Sequence, residues 1–141
     1  MNEMYGTYQH TIDPRGRLFM PARLREELGE SFFVTISTEK CLNAFSSESW
    51  NMRMEKIKAM TMKEQLRIRP LFANAAKCDT DSQGRVLLPK PLRDFAGLDK
   101  NATIVGAGVF VQIWDSEEYA PIAARESTPE NLADVLDELD F

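Results

Sequence analysis

Apolar and polar positions run through the same order twice along this chain. An extended, partly alternating stretch at residues 5–12 leads into a turn holding Gly16, and a short apolar strand is predicted over residues 17–20. Pro21 stands where a helix can begin, Leu24 and Leu28 make a short apolar stripe, and Gly29 is placed to end it. Two strands rich in aromatic and β-branched residues follow, at 32–36 and 42–45. The order then returns: an extended stretch at 73–80, a turn at Gly84, a strand at 85–88, Pro89, Leu92 with Phe95, Gly97, and strands at 103–105 and 110–114.

Between the two runs, residues 48–69 contain neither Gly nor Pro. They carry Trp50, Met54, Ile57, Met62 and Leu66 near helical spacing, so a helix is expected there until Pro70 stops or kinks it. A helix is expected to start near Asp115. Farther on, Thr128 is a natural N-cap with Pro129 behind it, and Leu132, Val135, Leu136 and Leu139 define the apolar face of an acidic amphipathic helix.

The repetition extends to residue identity. Asp13 to Gly29 and Asp81 to Gly97 share seven of 17 positions, where average composition gives roughly one. A weaker echo follows with a one-residue offset, Phe45-Ser-Ser-Glu-Ser-Trp50 facing Trp114-Asp-Ser-Glu-Glu-Tyr119. A copy of about 45 residues buries too little apolar surface to offset its chain entropy. The two copies are therefore expected to complete one core, their strands closing into a small barrel that leaves no edge exposed.

An Asp-x-x-Gly-Arg turn, an apolar strand, Pro and then Leu-Arg resemble the AbrB-like swapped-hairpin family. Two such units around a helical segment resemble the MraZ family of bacterial transcription regulators, over residues from about Tyr5 to Tyr119. The resemblance implies an α+β, mainly β fold, a double-split β-barrel of two tandem β-β-α-β-β units with connecting and C-terminal helices. The corresponding division is 5–47 for unit 1, 48–72 for the connector, 73–119 for unit 2 and 120–141 for the acidic tail. It further implies binding to repeated boxes in promoter DNA upstream of cell-division and cell-wall genes, generally as a repressor, and assembly into a ring-like homo-oligomer. No enzymatic activity, cofactor, metal, membrane or small-molecule substrate is expected.

Charge sets the terms of any DNA contact. The chain has 17 basic and 22 acidic residues, net −5, but six of the acids and no Lys or Arg lie in residues 126–141. The rest is nearly neutral at +1, so binding must come from local basic patches. Cys41 and Cys78 lack neighbouring ligand types and His10 is the sole imidazole, too few groups for a structural zinc site. Both cysteines are expected to be small buried residues, and His10 a half-buried strand residue. The N-terminus from Met1 to Tyr5 is mixed in character, and a cytoplasmic, nucleoid-associated protein is expected.

The expected DNA-binding residues are Arg15, Gly16, Arg17, Arg25, Gln83, Arg85 and Arg93. Gly16 permits a positive-φ turn, and Arg15 and Arg17 can project together on one side of it. Arginine forks onto phosphate or onto guanine in the major groove, whereas Gln83 can read adenine without adding charge. Arg17 has a second reading, an ion pair with Asp13 that locks the turn. Arg25 and Arg93 are open between the DNA face and a solvated helix charge paired with Glu26 or Asp94. The start of Asp79-x-Asp81-x-Gln83-Gly84 resembles a calcium loop, but its twelfth position is Lys90 rather than a bidentate Glu. An antitoxin-like or scaffold module that binds protein is the alternative function.

Overall fold

The computed structural model describes residues 3–141. Met1 and Asn2, read above as part of a mixed N-terminus, lie outside the described residues. The elements run β1 (Thr7–Thr11), β2 (Arg17–Phe19), α1 (Ala22–Leu28), β3 (Ser31–Ile36), β4 (Leu42–Ser46), α2 (Ser47–Lys58), α3 (Met62–Arg67), α4 (Arg69–Ala73), β5 (Ala76–Asp79), β6 (Arg85–Leu87), α5 (Lys90–Ala96), β7 (Asn101–Gly106), β8 (Val111–Asp115), α6 (Ser116–Glu126) and α7 (Pro129–Glu138).

Six strands form one antiparallel sheet in the order β1-β7-β8-β4-β3-β5, and β2 and β6 form a separate two-stranded ribbon. The fold is α+β with most strands in one large sheet. The closed barrel expected above is not formed: β1 and β5 stay at opposite edges, and the ribbon touches them through the single bridges Ile12↔Leu18 and Thr80↔Val86.

The two copies are interleaved. β1 of the first copy pairs with β7 of the second, and β5 of the second pairs with β3 of the first. Equivalent residues meet at two places: Asn43 opposite Gln112 in β4–β8, and Leu18 opposite Val86 in β2–β6. A pseudo-twofold axis through these points relates the halves. At the first point the amides also bond, Gln112 Nε2 donating to Asn43 Oδ1 at 3.2 Å.

The core carries the same symmetry. Leu18, Met20, Leu24 and Leu28 are all buried, as are Val86, Leu88, Leu92 and Ala96 at the equivalent places. The apolar stripe of α5 thus continues from Leu92 to Ala96, not to Phe95, which is 38% exposed. A helix repeats every 3.6 residues, and the i+4 position faces the core here.

The connector departs from a single helix. α2 ends at Lys58, and Thr61 opens α3 with a capping box: its hydroxyl accepts from Glu64 N while the Glu64 carboxylate accepts from Thr61 N. The helix breaks at Ile68, just before Pro70, which sits in the first turn of α4, where it is tolerated. Thr128 caps α7 as expected, and Pro129 is its first residue. Cys41 and Cys78 are buried and unbridged, and His10 is half-buried in β1. No helix among the described residues is long and apolar enough to cross a membrane.

Candidate functional site

Each Asp-x-x-Gly-Arg turn is wound around its aspartate. Asp13 Oδ1 accepts from the backbone N–H of Arg15 and of Arg17, both at 2.9 Å, and Oδ2 takes Arg17 Nε at 2.6 Å. Asp81 repeats this with the N–H of Gln83 and of Arg85, both at 2.9 Å, and with Arg85 Nε at 3.1 Å. These donors favour the ionised form, the N–H of Arg17 foremost for Asp13 and that of Arg85 for Asp81. Both carboxyls are held below the usual aspartate range. A carboxylate so tied is a strut, with no role as a proton-transfer partner.

Glycine is required at the turn's fourth position. Gly16 and Gly84 have φ of +87° and +78°, in the region that other L-residues enter only with strain. Their carbonyls are used across the pseudo-twofold, Met20 N donating to Gly84 O at 2.9 Å and Leu88 N to Gly16 O at 3.0 Å.

Arg25 and Arg93 bind neither Glu26 nor Asp94. Arg25 Nε donates to Met20 O at 2.8 Å and Arg93 Nε to Leu88 O at 2.9 Å, which turns each guanidinium back from its helix. Each then lies on the other copy's turn. A Cβ placed on Gly16 would sit 2.6 Å from Arg93 Cζ, and one on Gly84 would sit 3.0 Å from Arg25 Cζ. The loop of one copy and the helix arginine of the other thus make one composite corner, twice.

The ribbon joins the two corners. Its alternation buries Leu18 and Val86 and turns Arg17, Phe19, Arg85 and Leu87 outward. Arg85 Nη1 reaches to 3.8 Å from Asp13 Oδ2, so the two turns share charge directly. The sequence-predicted residues are therefore brought together: five arginines and Gln83 on one surface, against Asp13 and Asp81. Arg15 and Gln83 are exposed at the tips, and among the described residues neither side chain has a hydrogen-bond or ion-pair partner. Arg17 is drawn onto Asp13 instead of standing beside Arg15.

Phe19 was not anticipated at this site. Arg25 Cζ lies 5.5 Å from its ring centroid, and His10 meets the same ring edge-on at 5.0 Å. Its signal was the alternation in Arg17-Leu18-Phe19, which puts Phe19 on the arginine side. No group of three or more His, Cys, Asp or Glu among the described residues is arranged to hold a metal.

A family model described as "MraZ protein, putative antitoxin-like" matches residues 4–68 and again 71–138. Transcriptional regulator MraZ of Carboxydothermus hydrogenoformans is 46% identical over 139 residues, covering 93% of this chain and 97% of the relative. The protein of the same name from Heliobacterium modesticaldum is 42% identical over 140 residues, covering 96% and 98%. A solution structure, PHS018 of Pyrococcus horikoshii, covers 80% of this chain and 89% of its own at 15% identity and a TM-score of 0.34, too loose a likeness to bear on the fold. With both halves matched and near-full-length relatives at this identity, the chain belongs to the MraZ family of transcriptional regulators.

Proposed function

We propose that this protein is a sequence-specific DNA-binding transcriptional regulator, not an enzyme, and that it binds as a homo-oligomer through its two Asp-x-x-Gly-Arg corners. The observation that carries the reading is the pair of unpartnered tips, Arg15 and Gln83, raised on rigid turns amid Arg17, Arg25, Arg85 and Arg93. Preorganised guanidinium groups meet phosphates and guanine edges without first ordering a loop. A surface of five arginines against two aspartates is locally cationic on a chain of net −5, which supplies the patch that the overall charge does not.

The division into units 5–47 and 73–119, a connector at 48–72 and a tail at 120–141 then reads as two binding corners and their attachments. The family resemblance supports promoter DNA with repeated boxes as the target, repression of a cell-division and cell-wall gene cluster as the outcome, and a cytoplasmic, nucleoid-associated site of action. One corner makes few contacts, so useful affinity requires several subunits on repeated sites.

Selection of bound sites from random DNA, followed by mobility-shift titration of Arg15→Ala, tests the reading. The expected result is a repeated motif, binding that falls steeply with salt, and a loss of roughly tenfold or more for the variant. Unchanged binding by Arg15→Ala overturns the placement of the site. No DNA retention at moderate salt, with a stoichiometric protein partner recovered instead, decides for the antitoxin-like or scaffold reading.

A further inference from the structure

We infer that Leu87 reads the C5-methyl group of a thymine in the major groove, as a specificity-determining residue of the second corner. The inference rests on the DNA-binding role proposed for the two corners and names what one of them selects. Its basis is the β2–β6 ribbon, which sets Arg17 opposite Leu87, Leu18 opposite Val86 and Phe19 opposite Arg85. Leu18 and Val86 are buried, so the outer face of the ribbon carries two arginines and two apolar side chains.

These four side chains are not alike. Arg17 Nε is held on Asp13 at 2.6 Å and Arg85 Nε on Asp81 at 3.1 Å, so both guanidinium groups are tied to the turns. Phe19 is half-buried, with Arg25 Cζ 5.5 Å from its ring centroid and His10 edge-on at 5.0 Å. Its equivalent in the second copy is Leu87, which is 57% exposed. The residue equivalent to His10 is Cys78, a buried thiol with Sγ 4.0 Å from the Leu87 carbonyl oxygen and no ring to lay against the leucine. The pseudo-twofold is thus broken at one apolar position, covered in the first copy and bare in the second.

A single exposed leucine is ordinary on a protein surface. This one stands directly opposite Arg17 and two residues from Arg85, on the cationic surface that faces DNA. Phosphates offer a leucine side chain nothing. The major groove does: it is about 12 Å wide, admits a two-stranded ribbon, and presents the thymine methyl as its apolar group. Gln83, four residues before Leu87 in the same copy, carries an amide of the kind that pairs with adenine. Amide and leucine together give the second corner a preference for A·T pairs, in place of the charge that Arg15 gives the first.

The test replaces the thymines of a bound box, selected from random DNA, one at a time by deoxyuridine. Each replacement removes the C5-methyl and leaves the hydrogen-bonding edge intact. The full-length wild type is expected to lose about three- to fivefold in affinity at one thymine, the worth of burying one methyl group. Its salt slope is expected to stay the same, because no phosphate contact is lost. Leu87→Ala, at an exposed position, is expected to keep the near-UV circular dichroism of the wild type and to bind the thymine and uracil boxes equally. Leu87→Gln, which keeps the stem and makes its end polar, serves the same arm if Leu87→Ala fails to fold. A box without thymine, or one in which no replacement weakens the wild type, overturns the inference and leaves DNA binding standing. A loss that persists undiminished in the variant also overturns it, by assigning the methyl effect to another side chain or to DNA shape. A protein that retains no DNA overturns the proposed function and this inference together.

Discussion

Arg93 lies across Gly16 of the opposite repeat, so close that a Cβ on Gly16 would sit 2.6 Å from its Cζ. The glycine thus answers two demands, a φ of +87° and room for a guanidinium. Gly108 separates them, because its φ is +91° but nothing lies within 4 Å of its Cβ position. Alanine at either site incurs backbone strain of about 1–2 kcal/mol. Gly16→Ala alone must also displace Arg93 from Leu88 O, at a further cost of about 1 kcal/mol. Denaturant midpoints are expected to rank wild type above Gly108→Ala above Gly16→Ala, and equal losses would show that the Arg93 contact adds nothing.

Arg15 and Gln83 occupy equivalent tips, so the second corner lacks one cation that the first has. Gln83→Arg restores it on a turn that already holds its shape through Asp81. A new phosphate or guanine contact is worth about 1–3 kcal/mol, or roughly 5- to 150-fold in affinity. Titrations over a range of salt are expected to show tighter binding and a slope steeper by about one counterion per corner. An unchanged slope would mean that the second corner does not reach DNA.

The aspartate struts make the fold acid-sensitive in a defined direction. Asp13 and Asp81 have folded pKa values below the value of about 3.9 for an unfolded Asp. Their contribution to stability is complete above the unfolded value and is lost as pH falls through the folded one. Asp13→Asn and Asp81→Asn are therefore expected to lower the denaturant midpoint at neutral pH and to flatten its decline below about pH 4. A decline as steep in the double variant as in the wild type would assign the acid limb to other carboxylates.

Cys41 and Cys78 are chemically quiet in the folded protein. Burial pushes both thiols up to about 11, so almost no thiolate exists at neutral pH. A disulfide-exchange reagent at neutral pH is expected to titrate both slowly under native conditions and at once in denaturant. Rapid native reaction of either would place it on a segment that opens readily.

The reach of sequence reasoning differs between the turn and its surroundings. The Asp-x-x-Gly-Arg geometry is local, since donor, acceptor and positive φ all fall within five residues, and the turn was legible, with the Asp13–Arg17 pair left as one of two readings for Arg17. Thr61-x-x-Glu64 was equally local, and its capping box breaks the connector where an apolar period alone suggested continuity. Arg25 and Arg93 were ambiguous because each is anchored on a carbonyl of its own copy but lies against the turn of the other repeat, a neighbour that no spacing within either copy encodes. The same holds for β1, whose mate β7 is about 90 residues away. Repetition announced that two halves meet, but Asn43 opposite Gln112 and Leu18 opposite Val86 fix how.

That interleaving makes a final prediction about the halves themselves. Cutting between Met60 and Thr61, in the turn between α2 and α3, damages no strand. It leaves β1 without β7, β3 without β5, β4 without β8 and β2 without β6. The fragment 1–60 keeps only the β3–β4 pair, and 61–141 keeps only β7–β8, each with half of the buried leucine set. Chains this short with one hairpin and half a core do not offset their conformational entropy. Each fragment alone is expected to lack near-UV circular dichroism, and an equimolar mixture to recover it with a one-to-one mass. Trp50 and Trp114 report the two halves separately, because each belongs to a different fragment and both are buried in the whole fold. A fragment that folds by itself would show that one repeat can close its own core. The swapped pairing would then be a late docking step and not the condition for folding.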